Sequence, residues 1–417
     1  MKIAIVGTGV SGLVAAHSLH GRHEITVFEA AGRVGGHVNT IPVADGPRTH
    51  FVDTGFIVYN DRNYPRFERL LAQIGVATQP SHMSFSVSDG TGDFEYSGTP
   101  AGIFARPAHL IDPGYLKMLR EWFRFNREAQ QLIGLDGSSP SLGHWLDEQG
   151  YSQDFIDKLI VPQASAVWSA DPGQMWSFPA SFMAEFFDNH GMYSLRNRPQ
   201  WRTVAGGSHR YVEAITAPWR DRIRTGAAVR QITRVTDGVE IQADGCETET
   251  FDEVVIATHS DQALALVAEP TDAERKVLGA IAYKPNEAVL HTDVSLLPRR
   301  RRAWASWNFH LSEQPAGSST VTYWMNNLQR IDSSQELLVT LNRSDAIDPE
   351  KVIERISYDH PIFTQDAVHA QERHTEISGA DRLHYCGAYW GWGFHEDGVL
   401  SAERACAPLL DRVAVPA

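Results

Sequence analysis

Ile3-Ala4-Ile5-Val6-Gly7-Thr8-Gly9-Val10-Ser11-Gly12 is the stretch that decides the fold: four apolar, largely β-branched residues run straight into a Gly-x-Gly-x-x-Gly turn. A helix is predicted from Leu13 to Leu19, and a second apolar run, Ile25-Thr26-Val27-Phe28, ends in Glu29. Strand, glycine turn, helix, strand and acid in this order form the dinucleotide-binding fingerprint. Gly7 permits the tight turn, Gly9 lets backbone approach a pyrophosphate, and Gly12 lets the helix pack closely on the strand. The helix N-terminus around Val10 and Ser11 offers free amides to phosphate, and Glu29 can accept a hydrogen bond from a ribose 2′-OH. A turn of purely structural purpose is the alternative, and the flanking strands and acid weigh against it.

The acid is followed by Ala30-Ala31-Gly32-Arg33-Val34-Gly35-Gly36-His37. Arg33 and the Gly pair would bring a cation and more backbone to the diphosphate. This segment resembles the extension after the acid in the flavin amine oxidase and phytoene desaturase superfamily, which nicotinamide dehydrogenases lack. The resemblance implies FAD as cofactor, with Ala30, Arg33, Gly36 and His37 joining the fingerprint residues, and Gly55 and Phe56 following in Phe51-Val52-Asp53-Thr54-Gly55-Phe56. Superfamily members usually place Arg where this chain has His37, which keeps a donor but removes a permanent charge.

Near the other end, Cys386-Gly387-Ala388-Tyr389-Trp390 and Gly393-Phe394-His395-Glu396-Asp397-Gly398-Val399 resemble the closing motif of the same superfamily. There a strand ending in Gly leads through a loop to a helix whose first amides face the flavin pyrimidine ring, where reduced flavin carries negative charge. The resemblance implies flavin contacts at Gly387, Asp397, Gly398 and Val399, with Asp397 capping a helix that runs from Gly398 to Leu410. A capped surface helix is the alternative. Monoamine oxidases place a Tyr of their aromatic cage where Phe394 stands, so Phe394 is expected to line the substrate pocket. They also keep a Lys bridging through water to flavin N5. Asn286 or Glu287 holds that position here, with Lys284 nearby, which argues against oxidase activity. His395 and Glu287 are the candidate proton acceptors, His being suited by its near-neutral pKa. The alternative for His395 is a hydrogen bond to its own loop. Cys386 reads as a buried strand cysteine rather than a covalent flavin anchor.

Composition sets outer bounds. The 417 residues suffice for two domains, and the formal charge of −14 argues against nucleic acid as a partner. The three cysteines, Cys246, Cys386 and Cys406, make neither a CxxC nor a disulfide framework, which suits a reducing cytoplasm. No secretory leader and no run long enough to span a membrane is read from the sequence. The histidines show no metal-ligand spacing, so no metal is expected, and no GxSxG elbow suggests hydrolysis.

The expected fold is α/β: a two-domain, Rossmann-type, amine oxidase-like FAD-binding architecture with an interleaved α+β substrate domain. Residues 1–80, 205–265 and 375–417 would form the FAD domain, and 81–204 and 266–374 the substrate domain. The segments 228–235 and 238–243 read as a hairpin about Asp237-Gly238, and 253–257 as a strand. Val229 resembles the position that pairs its backbone with adenine; a plain strand valine is the alternative. Helices are expected to dominate from 114 to 189, with 153–160 as one of them and Pro162-Gln163-Ala164-Ser165-Ala166-Val167-Trp168 following it. Trp168, Trp176, Phe178, Phe182, Phe186 and Phe187 cluster there, either as core or as the wall of a substrate tunnel. From Lys284 to Thr340 the pattern alternates as strands do, and Arg382 to Gly387 reads as a last strand.

The segment Gly114 to Ile133 is amphipathic, with Leu116, Met118, Leu119, Trp122, Phe125, Leu132 and Ile133 on one face and Lys117, Arg120, Arg124 and Arg127 opposite. A core-facing helix with a solvated basic side and a helix lying on an anionic membrane share this pattern. Arg299-Arg300-Arg301-Arg302 with Trp304 and Trp307 is a second basic-aromatic site, read as a loop feeding a strand. The whole chain is similar to bacterial FAD-binding oxidoreductases linked to modification of unsaturated or methyl-branched acyl chains. The function implied is FAD-dependent dehydrogenation of a hydrophobic substrate, with a lipid acyl chain the first choice. A flavin amine oxidase and a non-redox flavin-dependent isomerase or binding protein are the alternatives. Neither the electron acceptor nor the oligomeric state is legible.

Overall fold

Strands Lys2–Val6, Glu24–Glu29 and Glu253–Ile256 are apolar at nearly every interior position, as strands covered on both faces must be. In the computed structural model they lie in a parallel sheet ordered Ile223–Thr225, Glu24–Glu29, Lys2–Val6, Glu253–Ile256 and Leu383–Tyr385. The structure describes residues 1–135, 139–168, 173–193, 198–311 and 319–411, without the side chains of 174 and 175. Helices Val10–Leu19 and His395–Asp411 pack on one face, sharing a core with Leu13, Val255, Val399 and Leu409. The antiparallel strands Val229–Val235, Gly238–Ala243 and Glu249–Phe251 cover the other, burying Phe28, Ile232 and Val254.

A second, seven-stranded sheet runs Val352–Ile362, Ala282–His291, Leu338–Leu341, Val321–Trp324, Trp307–His310, Phe85–Ser88, Glu95–Ser97. Its inner face joins helices Pro113–Glu128, Leu142–Glu148, Val161–Trp168 and Ala180–Asn189 in one aromatic-rich core. The two domains are therefore interleaved in sequence, each sheet drawing strands from separate parts of the chain. Among the described residues no helix is long and apolar enough to cross a membrane.

Several elements differ from their sequence reading for local reasons. The first helix begins at Val10, three residues early, because Gly9 serves as its N-cap and no proline or competing side chain delays it. The last begins at His395 rather than Gly398. Asp397 therefore sits inside its first turn, where its carboxylate accepts the Phe394 amide at 2.9 Å. Residues 153–168 wind continuously as Gln153–Phe155, a wider π turn at Ile156–Ile160, and Val161–Trp168. Pro162 has no N–H for a regular i−4 bond, and the wider turn accommodates it. The long strand Val352–Ile362 was not legible, since its charged residues break any apolar alternation. Residues 136–138, 169–172 and 312–318, inside segments read as helical or alternating, lie outside the described residues.

Candidate cofactor cleft and substrate wall

The glycine fingerprint divides by what a side chain would meet. A Cβ on Gly12 would lie 2.0 Å from the Gly7 carbonyl oxygen, and one on Gly7, at φ +101°, would lie 2.9 Å from the Ala257 oxygen. Both glycines are required by the chain itself. A Cβ on Gly9 would meet no described atom within 4 Å, so Gly9 borders open space at the helix N-terminus. Gly36 closes on it, its Cβ position 3.0 Å from the Gly9 Cα. This is the cradle a diphosphate needs, and it lies at the carboxyl end of the parallel strands where the strand order reverses about Lys2–Val6.

Around that cradle the other candidate residues converge. Glu29 accepts from the Thr8 amide at 3.1 Å and the Ala31 amide at 2.8 Å, so its carboxylate is fixed at the strand end. Ala227, two residues before Val229, donates its amide to the Glu29 carbonyl, which sets Val229 near the same end. Arg33 donates to the carbonyls of Val38 (3.0 Å) and Gly36 (2.8 Å), organising the loop that carries His37. Gly55 packs on the His37 carbonyl, which accepts the Phe56 amide at 3.0 Å. From the closing helix, the Gly398 Cβ position lies 2.5 Å from Val10 and 3.0 Å from the Ser11 hydroxyl, so both halves of the motif meet at one place. Gly387 donates to Ser401 at 3.0 Å, and Val399 is buried below.

His37 differs from the cation its position was read to replace. It lies in a cluster with Tyr358, His360 and His259, at centroid distances of 5.1, 5.7 and 5.7 Å. Burial, with those two imidazoles beside it, pushes its pKa down to about 3. It can offer an N–H but no charge, and its Nε2 is buried without a hydrogen-bond partner among the described residues. No sequence signal marked His259 and His360 as neighbours, because one caps helix Ser260–Leu266 and the other lies on the distant strand Val352–Ile362. Among the described residues no His, Cys, Asp and Glu group could hold a metal ion.

The aromatic cluster read as core or tunnel wall is buried in the core of the second domain and meets the closing loop at Phe394. The Phe394 ring stacks on Phe186 at 5.4 Å and leans on His190 at 6.0 Å. Phe186 in turn meets Trp168 at 4.8 Å and Trp392 at 6.1 Å, and Phe182 meets Phe178, Phe363 and Trp392. Phe187 turns the other way, toward Tyr193. Each such pair contributes about 0.5–1.5 kcal/mol beyond burial, so the wall is stiff. Sequence reading found its helix residues but missed His190 and Trp392.

The two candidate proton acceptors do not meet. His395 is buried with Phe56 stacked on it at 3.5 Å and its Nε2 hydrogen-bonded to Tyr211 at 2.9 Å. Burial, then His37, holds its pKa well below the usual histidine range. It points into the FAD-domain core, away from the wall that its neighbour Phe394 faces. Glu287 stands on the outer face of strand Ala282–His291. It pairs there with Arg355 at 3.2 Å and with Ser344, and its side chain is 42% exposed. Strand alternation explains this: Asn286, Ala288 and Leu290 are buried inward, so Glu287 must face out. Asp397 is likewise spent on its own loop, with its pKa raised to about 7 by burial.

The arginine run is also absorbed locally. Arg299 bonds the Gly90 carbonyl, Arg300 pairs with buried Glu95, and Arg301 pairs with Glu336 over Trp304.

A parallel sheet with a glycine cradle at its switch point, joined to a second sheet-based domain lined with aromatic rings, defines a two-domain FAD-binding oxidoreductase. The chain matches the flavin containing amine oxidoreductase family over residues 10–410 and belongs to it. It is 46% identical over 266 residues to the flavin-dependent L-tryptophan oxidase RebO of Lentzea aerocolonigenes, covering 58% of this chain and 54% of RebO. The chain thus spans about half the length of the curated relatives it matches. In fold it is similar to cyclohexylamine oxidase from Brevibacterium oxydans IH-35A (TM-score 0.70, 15% identity, 98% of each chain). It is also similar to the CLA-producing fatty acid isomerase from P. acnes (TM-score 0.65, 16% identity, 97% of this chain and 98% of that one).

Proposed function

We propose that this flavoprotein dehydrogenates a hydrophobic substrate, a lipid acyl chain being the preferred class, bound against Phe394, with Phe186 and Trp168 backing that ring. The observation that carries the reading is the stack of Phe394 on Phe186, an all-aromatic surface with His190 as its one titratable ring. FAD, when bound, supplies the hydride acceptor. The chain's own residues do the rest. Gly7, Gly9, Val10, Ser11, Gly12 and Gly36 would hold the diphosphate by backbone amides, and Glu29 the ribose, with Ala30 and Val229 beside it. Arg33, His37, Gly55 and Phe56 would shape the middle of the cleft, and Gly387, Asp397, Gly398 and Val399 the end nearest the ring. The apolar wall excludes water and orients a chain by shape, with no charged anchor among its rings.

Anaerobic mixing of the FAD-loaded protein with fatty acids and acyl thioesters, against amines and amino acids, tests the reading. Flavin bleaching by an acyl compound alone supports it, and bleaching by an amine alone overturns it. The amine oxidase reading draws on the family and on Lys284, which shares the inward strand face with Asn286. Acyl conversion without net bleaching would favour an isomerase instead.

A further inference from the structure

Helix Pro113–Glu128 covers the substrate domain with Tyr115, Met118 and Phe125 buried in its core. Its opposite face is not simply polar. At helical spacing, Leu116, Arg120, Phe123 and Arg127 fall in one strip, Leu116 at 42% and Phe123 at 58% exposure. Leu116 therefore belongs with the basic residues and not with the buried face where its apolar character would put it. Lys117 and Arg124 flank the strip, and Leu110 (56%) and Ile111 (84%) extend the apolar exposure ahead of the helix. The two acids of the helix are held mainly on its inner side: Glu121 is buried and bonded to Ser152, with Lys117 at 3.9 Å, and Glu128 bonds Tyr151 and Arg124 and reaches Arg127 of the strip only at 3.8 Å. Arg120 pairs with no carboxylate among the described residues.

We infer that this face docks on an anionic membrane surface. Exposed apolar side chains interleaved with arginines on an in-plane helix match the acyl boundary and the anionic headgroups respectively. The charge sign is local, since the chain as a whole carries −14 while this helix bears four basic and two acidic side chains. A second copy fits the face less well. A two-fold contact about Phe123 would set Arg120 of one copy near Arg127 of the other, and the strip itself carries no acid to offset them, Glu128 being held by Tyr151 and Arg124. The inference goes beyond the proposed reaction and does not rest on the substrate's identity.

Sedimentation of the full-length, FAD-loaded chain with vesicles tests it directly. The chain should sediment with phosphatidylcholine vesicles containing phosphatidylglycerol, should not with phosphatidylcholine alone, and should be released by added salt. Arg120→Gln with Arg127→Gln should weaken binding about fivefold per charge removed. Ile111→Ser with Phe123→Ser should weaken it by at least about tenfold, with FAD content and melting temperature unchanged. No binding of the wild type to anionic vesicles, or wild-type binding in both double variants, overturns the inference. Self-association that Phe123→Ser abolishes, without vesicle binding, would assign the face to a second copy and overturn it equally.

Discussion

The imidazole of His395 lies flat on the ring of Phe56, centroids 3.5 Å apart and planes inclined by 20°. With Nε2 on the Tyr211 hydroxyl and Phe67 of helix Pro65–Gln73 edge-on at 5.2 Å, this ring serves packing between the closing helix, the Gly55–Phe56 loop and helix His209–Thr216. His395→Ala should therefore destabilise the fold by roughly 2–4 kcal/mol, through a cavity and an unpaired Tyr211 hydroxyl. It should leave anaerobic flavin reduction by substrate near wild type in whatever protein remains folded. Thermal denaturation and stopped-flow reduction separate the two: an unchanged melting temperature with abolished reduction would restore His395 as the proton acceptor. Glu287→Gln should change neither.

Buried imidazoles make the protein acid-sensitive. Burial pushes His190 and His291 down to about 4 and His310 to about 3, and His395 is lowered too. In each case the unfolded state takes up the proton first, so stability is full above about pH 6.5 and is lost as pH falls toward the folded values. Asp53 and Asp397, raised to about 7, act oppositely, since their contribution is lost as pH rises through 7. His37 and His360, likewise lowered by burial, add to these, so the histidines outnumber the two acids and the acid side dominates. Melting temperatures measured from about pH 8 down to about pH 5 should fall below about pH 6.5; a flat profile would remove the buried histidines from the account.

The glycines at the cradle should separate by substitution. Gly12→Ala places a methyl against the Gly7 carbonyl and should give little folded protein. Gly9→Ala meets only open space, so the cofactor-free protein should melt as wild type while FAD binds at least about tenfold more weakly, the methyl standing where backbone must approach the diphosphate. Glu29→Ala should weaken FAD by roughly 1–3 kcal/mol. Isothermal titration of the cofactor-free protein decides both, and wild-type affinity in Gly9→Ala would move the diphosphate elsewhere.

Much of the cleft was legible because local chemistry forces it. Gly7, Gly12 and Glu29 occupy positions where turn geometry and a strand end leave few choices, and the Asp237-Gly238 hairpin follows from its turn residues. What escaped depends on tertiary placement. Nothing near His37 in sequence announces His259 or His360, and the outward turn of Glu287 follows from a strand register that only pairing with Ser357 fixes. Leu116 shows the limit of counting apolar residues: its angular position, not its hydrophobicity, decides that it is exposed.

That same strand register leads to the last prediction. Asn286 is fully buried, with its Nδ2 donating to the Lys284 carbonyl and lying 3.2 Å from His360 Nδ1, and its Oδ1 accepting from Asn342 at 2.7 Å. If this amide, locked on both sides, takes the place of the oxidase Lys, as the resemblance to monoamine oxidases implies for Asn286 or Glu287, no cation assists transfer of electrons to oxygen, and reoxidation of the reduced protein in air should be slow. Lys284 is on the same face, one inward position earlier, and is the residue that could reverse this expectation. Stopped-flow reoxidation of wild type, Lys284→Met and Asn286→Lys distinguishes the cases. Slow wild-type reaction, unchanged within about twofold in Lys284→Met and raised at least about tenfold in Asn286→Lys, is the result expected if a missing cation limits the rate, tenfold corresponding to only about 1.4 kcal/mol of electrostatic stabilisation. A fast wild-type rate that Lys284→Met abolishes would give the cation's role to Lys284. The substrate reading would then shift to an amine, because the feature that argued against oxidase chemistry would be gone.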